Sequence, residues 1–202
     1  MPDTGEDLFD GVPAHWDTFL DTPPGEDNFA DAEVVVIPVP YDGTTSYRTG
    51  ARLGPKAIIR ASRHLEDYDL DLNRDISLVG IHTAPEIEPD VSGPEATIGR
   101  VRQVVRRVAE RGKLPALLGG EHTISIGSVM GLIDLNPDLS VLYLDAHADL
   151  RDEYMGTRWG HASVARRISE ICHLVQVGVR SLSEEEMKRC VGVGGIMSTI
   201  YR

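Results

Sequence analysis

Only two cysteines, Cys172 and Cys190, occur among the 202 residues. Two cannot build a disulfide framework, and they read as small buried hydrophobes in a reducing compartment. Long apolar runs are also missing: none approaches the ~20 residues that span a bilayer. The opening stretch, Met1 to Phe29, has neither a basic start nor an apolar segment, so it does not read as a secretory signal. Basic residues are in deficit, with 20 Lys and Arg against 32 Asp and Glu and a net charge of -12. That balance argues against nucleic acid or an anionic membrane as the main partner. It is the charge that solubility commonly demands, and it would also suit a cationic small molecule. The cytoplasm is the expected location.

Internal repeats and low-complexity tracts are absent too, and what remains is an alternation. Residues 1–31 read as an irregular N-terminal segment and residues 32–202 as a single domain. The run Glu33-Val-Val-Val-Ile-Pro38 suits a strand buried on both faces. A glycine-marked loop over Tyr41–Thr45 follows, and Pro55 opens a helix near Lys56–Arg63. Ser77–His82 is the second predicted strand. After Pro94 comes a helix to about Arg111, with Ile98, Val101, Val104, Val105 and Val108 on one face. Strands are expected at Leu114–Leu118, Ser140–Leu144 and Leu174–Val179, and helices at Thr123–Ile133, Ala162–Glu170 and Glu184–Cys190. Strand–helix alternation predicts an α/β domain whose mostly parallel sheet carries helices on both faces. The tail from Val191 is glycine-rich and then mildly β-prone.

The chemistry is concentrated after two of these strands. Asp145-Ala-His147-Ala-Asp149 follows Val141–Leu144 directly. Alternation places Asp145 and His147 on one side, and Asp149 is expected to continue the row as the chain turns. Strand C-terminal ends line the crevice in which such sheets bind ligands. Carboxylate oxygens with imidazole nitrogens suit Mn²⁺ or Zn²⁺, and one aspartate can bridge two ions ~3.5–4 Å apart. Gly119-Gly120-Glu121-His122-Thr123 follows a second strand, and its glycines let the backbone turn sharply toward the same crevice. His122 alone would be weak evidence; beside the aspartate motif it becomes a candidate ligand.

Gly-Gly-Glu-His-Thr and Asp-Ala-His-Ala-Asp resemble two signature motifs of the ureohydrolase (arginase/agmatinase) family. The resemblance extends upstream to Gly43–Gly50 and Gly54–Arg60 and downstream to about Ser183. It implies a three-layer α/β/α fold and hydrolysis of a guanidino compound to urea and an amine, with two Mn²⁺ per site. It further implies that His122 and Asp149 serve one ion, that His147 serves the other, and that Asp145 bridges both. His161, in Trp159-Gly-His-Ala-Ser163, resembles the histidine that passes a proton to the leaving amine. Arg151 stands where arginases usually carry an Asn that holds the substrate's α-carboxylate, so the resemblance favours agmatine and its product putrescine, on the route to polyamines. Arg151 and Asp152 could equally be a solvated salt-bridging pair. Arginase or guanidinobutyrase is the near alternative, and the full-length form is expected to be a homo-oligomer.

The sequence also departs from the family. The family's third signature, Ser-Phe-Asp-x-Asp-x-x-Asp-Pro, supplies two more metal-binding aspartates, yet no Asp occurs after Asp152. Glu184, Glu185 and Glu186 lie on a polar helical stretch and are no credible substitute. Family members are usually longer, and their last strands insert at the centre of the sheet. The expectation is therefore a truncated, frameshifted or partial gene product lacking those strands, with apolar strand edges exposed. A non-catalytic fragment or pseudoenzyme is the alternative function. His15, His64, His82 and His173 read as structural or surface residues.

Overall fold

The computed structural model describes residues 17–23, 26–192 and 197–198. His15, most of the irregular N-terminal segment and most of the tail beyond 192 lie outside the described residues. The elements are β1 (Val34–Val39), α1 (Gly54–Ser62), β2 (Tyr68–Asp69), β3 (Arg74–Asp75), β4 (Ile81–Thr83), α2 (Pro94–Ala109) and β5 (Leu114–Gly119). Then come α3 (Ile124–Ile133), β6 (Ser140–Leu144), α4 (Val164–Ile168), β7 (His173–Val177), α5 (Glu184–Gly192) and β8 (Met197–Ser198). No helix among the described residues is long and apolar enough to cross a membrane.

The alternation expected from the sequence is present, and every strand pair outside the β2–β3 hairpin is parallel. The strands form two three-stranded sheets, in the orders β4-β1-β5 and β6-β7-β8. β1 lies in the middle of the first and is buried on both faces, as its β-branched run requires. Val35, Ile37 and Val39 pack on Val101, Val105 and Val108 of α2, the helix face anticipated from the sequence. Each such side chain contributes roughly 1.5–3 kcal/mol by leaving water. α3 lies close against α2 because Gly127 and Gly131 carry no Cβ; one added there would meet the Ile98 carbonyl at 2.6 Å and the Arg102 carbonyl at 2.7 Å.

β5 and β6 each have a strand partner on one edge only, among the described residues. Leu142 and Leu144 of β6 are 65% and 73% exposed, in contrast with Val35 and Ile37 of β1 at 1% and 0%. Leu142 and Leu144 thus leave one side of β6 apolar and exposed.

One strand was misplaced by the sequence reading. Ser77–Val79 is a single 3-10 turn, and the strand begins only at Ile81. The Asp75 carboxylate accepts the Ser77 N–H at 2.9 Å and its hydroxyl at 2.6 Å, a local turn that competes with extension. The β2–β3 hairpin, two residues on each side, carries too short a pattern to be read from sequence.

Candidate metal centre

The loop after β6 is fixed at nearly every peptide. The Asp145 N–H donates to the Val177 carbonyl at 3.2 Å, and the Ala146 carbonyl accepts the N–H groups of Arg180 and Ser181. The Ala148 N–H donates to Ser181, and the Ala148 carbonyl accepts the buried Gln176 amide at 2.8 Å. The Asp149 carbonyl accepts the Arg166 N–H at 3.0 Å. Asp149 itself has φ +49°, a left-handed backbone that an L residue keeps only when its neighbours hold it. The row of alternating side chains therefore does not simply run on to Asp149. The backbone turns left-handed, and that turn brings its carboxylate back to the site.

His122 arrives from β5. Gly120 has φ +45°, and a Cβ there would press on the Tyr41 carbonyl and lie 2.6 Å from that of Val39. Only glycine permits this reversal without strain. The Glu121 N–H then donates to the Tyr41 carbonyl at 2.7 Å. The buried Glu121 carboxylate accepts the Thr44 N–H at 3.1 Å and its hydroxyl at 2.6 Å. This ties the loop after β1 to the one after β5. The same Thr44 oxygen accepts the His161 N–H at 3.4 Å, so three loops meet at one anion.

Two strand ends thus converge. His122 Nδ1 lies 3.2 Å from Asp145 Oδ2 and 3.3 Å from Asp149 Oδ2. Tyr143 stacks on His122 with ring centroids 4.8 Å apart, and its hydroxyl donates to Asp149 Oδ2 at 2.7 Å. Burial, and then the charge of Asp149, push the Tyr143 hydroxyl far above its ordinary pKa, so it stays a neutral donor. His122, Asp145 and Asp149 form the group of possible metal ligands found among the described residues, their donor atoms within 4.8 Å of one another. Ligands ~2.1 Å from one octahedral ion stand about 3 Å apart, so the spacing and the N,O,O donor set fit a divalent ion of Mn²⁺ or Zn²⁺ type.

The other oxygen of Asp145 faces His147. Oδ1 is 3.2 Å from His147 Nδ1 and accepts the His147 N–H at 2.8 Å. The His147 side chain is 65% exposed, and it is not part of the converging group. One compartment of the site therefore brings together three candidate ligands, and the other two.

His161 begins the 3-10 turn that precedes α4, and its ring meets Tyr154 edge-on at 5.8 Å. Its Nδ1 is buried without a hydrogen-bond partner. His122, Asp145, His147, Asp149 and His161 all line one cavity of about 710 Å³. Arg151 lines it too and is not paired with Asp152. Its guanidinium lies 5.1 Å over the Tyr154 ring, and its Nε is 3.8 Å from Glu186. Asp152 instead binds Arg158 and Arg167. Among the other histidines, His82 pairs with the buried side chain of Asp27 at 2.6 Å, a structural role as read from the sequence.

Sequence reasoning missed Tyr143, Gln176 and Glu186. Tyr143 reads simply as a strand residue, and nothing in its neighbours marks a hydroxyl aimed at a ligand. Glu186 had one visible signal: Ser183-x-x-Glu186 has the spacing of a helix capping box.

Comparison with known proteins agrees with this geometry. The chain is 40% identical over 162 residues to the N(1)-aminopropylagmatine ureohydrolase of Thermus thermophilus, covering 79% of this chain and 55% of that protein. It is 42% identical over 164 residues to the agmatinase of Pyrococcus horikoshii, covering 78% and 55%. The chain therefore spans about half the length of these curated relatives. The crystal structure of the agmatine ureohydrolase of Thermoplasma volcanium superposes with a TM-score of 0.78 at 31% identity, covering 90% of this chain and 60% of that one. A family model described as the arginase family matches residues 32–198. With that span of the chain inside the family's pattern and its two motifs meeting in one cavity, the chain belongs to the arginase family.

Proposed function

We propose that this chain carries the metal-binding portion of a ureohydrolase site whose substrate is a guanidino amine, agmatine first, with urea and putrescine as products. The observation that carries the reading is the convergence of His122, Asp145 and Asp149 from two strand ends within 4.8 Å. His122, Asp145 and Asp149 would hold one Mn²⁺, and Asp145 and His147 part of a second site. A divalent ion held by these residues would lower the pKa of a bound water towards neutrality and would so supply a nucleophile for the guanidinium carbon. The protein's own part is to fix the ligands, to shape the cavity and to move a proton. His161, in the cavity wall with a free Nδ1, is the group placed to protonate the leaving amine.

Two features bear on substrate. Arg151 occupies the position at which an α-carboxylate clamp would be expected, and its charge is turned toward Glu186 and Tyr154. The relatives named above act on agmatine or on N(1)-aminopropylagmatine by their names, and both lack that carboxylate. The test is a chimera that continues this chain with the C-terminal portion of the Pyrococcus horikoshii agmatinase. Urea release is assayed with Mn²⁺ on agmatine, N(1)-aminopropylagmatine, arginine and guanidinobutyrate. The expected result is urea from one of the first two; no urea from any of them refutes the reading, and urea from arginine alone reassigns it.

A second reading, a non-catalytic form that binds a single ion, is favoured by the exposed, two-ligand compartment at His147. The chimera decides between the two: urea release supports the first reading, and one bound ion without urea release supports the second.

A further inference from the structure

Glu186 is 5% exposed, although it lies on a helix whose neighbouring acids face solvent. A buried carboxylate must be satisfied by donors. One oxygen accepts the Ser183 N–H at 2.7 Å and the Ser183 hydroxyl at 2.8 Å, and the Glu186 N–H points back at that hydroxyl at 3.3 Å. This is a capping box at the start of α5. Capping uses one oxygen. The other accepts the Leu150 N–H at 3.1 Å, across 36 positions of sequence.

The Leu150 N–H belongs to the peptide that follows Asp149. Because Asp149 is left-handed, its carboxylate reaches His122 only while the peptides on both sides are held. The preceding peptide is held at the Ala148 carbonyl by Gln176, and the following one by the Arg166 N–H and Glu186. Among the groups that make these bonds, the Glu186 carboxylate alone carries a charge, since Arg166 contributes its backbone N–H, and hydrogen bonds to ionised acceptors are the stronger kind. Leu150 is itself buried, at 9% exposure, so water offers its N–H little replacement. Arg151, 3.8 Å from the same carboxylate, adds a longer ion pair on the cavity side.

We infer that Glu186 is a positioning residue for the metal site: it holds the Asp149–Leu150 peptide and so sets the Asp149 ligand, in addition to capping α5. The inference rests on the metal-binding reading proposed above. It makes α5 part of the site's scaffold, although the converging group of candidate ligands, His122, Asp145 and Asp149, includes no residue of α5.

The test separates positioning from capping. Ser183→Ala removes the hydroxyl's part in the cap and leaves the Leu150 contact; Glu186→Ala removes both; Glu186→Gln keeps an acceptor for Leu150 without the charge. Manganese affinity is measured by calorimetry on the whole chain, and exchange of the Leu150 amide by NMR without metal. Glu186→Ala is expected to weaken Mn²⁺ binding roughly 10–100-fold, the usual cost of losing an outer-shell partner, and to speed exchange at Leu150. Glu186→Gln should recover part of both, and Ser183→Ala should stay within about twofold of the parent. Equal weakening by Ser183→Ala and Glu186→Ala would reduce Glu186 to a helix cap and overturn the inference. Unchanged affinity in Glu186→Ala would overturn it as well. A parent chain that binds no Mn²⁺ would sink the metal reading instead. The exchange data then decide the inference alone, since an unaltered Leu150 amide in Glu186→Ala contradicts it.

Discussion

The two oxygens of Asp145 face unlike surroundings. Oδ2 looks toward His122, and Asp149 and Tyr143 complete a packed, hydrogen-bonded compartment in which Asp149 is 11% exposed. Oδ1 looks toward His147, which is 65% exposed and has no further carboxylate paired with it among the described residues. Both compartments contain residues of the same five-residue motif. The difference lies in where their residues come from: one draws them from two strand ends in different sheets, while the other draws both from the loop after β6. Ligand identity is local in sequence, whereas ligand positioning comes from the fold.

Substitutions should expose this asymmetry in graded steps. Asp145→Asn removes the one charge common to both compartments and should cost upwards of about 100-fold in Mn²⁺ affinity, more than an outer-shell loss. Titration of the purified variant checks this, and an affinity near that of the parent would erase the distinction between Asp145 and its neighbours. Tyr143→Phe keeps the stacking but deletes the donor to Asp149. It should weaken binding roughly 10–100-fold with little change in melting temperature. His147→Ala should leave the tighter ion within about twofold of the parent, because His147 stands outside the converging group; a loss as large as that of Asp145→Asn would show the compartments to be equivalent.

The smallest effect concerns the cavity rim and depends on pH. Asp42 is buried, which alone would raise its pKa. Hydrogen bonds from Gly50 N–H and Arg52, with the Arg52 charge, outweigh that and hold it below the usual carboxylate value. These bonds pin the loop that contributes Thr45 to Arg48 to the cavity. A depressed pKa in the folded state stabilises above the unfolded value and is lost as pH falls through the folded one. Asp42→Asn should therefore melt lower than the parent at neutral pH. The gap should close as the pH drops from about 3.9 downward. A gap that stays constant down to pH 2 would mean that Asp42 acts through shape rather than charge. Manganese affinity should be unaffected, since Asp42 touches neither compartment.

Much of this architecture was legible in the sequence. The continuous run of β1, the apolar face of α2 and the two motifs after β5 and β6 each express a short-range rule: burial on both faces, helical period, a strand end followed by ligand-type residues. What could not be read depends mostly on distant partners, with one local exception. The turn at Ser77 follows from a local side-chain bond at Asp75 that outcompetes extension. The left-handed Asp149 is invisible because alternation assumes an extended chain. Glu186 looked like one acid among three; its spacing from Ser183 is a local signal, but its bond to Leu150 comes only from the packing of α5 against the loop after β6. Arg151 and Asp152, adjacent in sequence, take different partners because the loop sends one to the cavity and the other to α4.

The most direct test of the account is the number of Mn²⁺ ions bound by the purified 202-residue chain, measured by elemental analysis after equilibrium dialysis, alongside urea release from agmatine. The account predicts one ion per chain, bound through His122, Asp145 and Asp149 and abolished by Asp145→Asn, with no useful turnover. Two tightly held ions with sustained urea release would contradict it, because the compartment at His147 would then be complete.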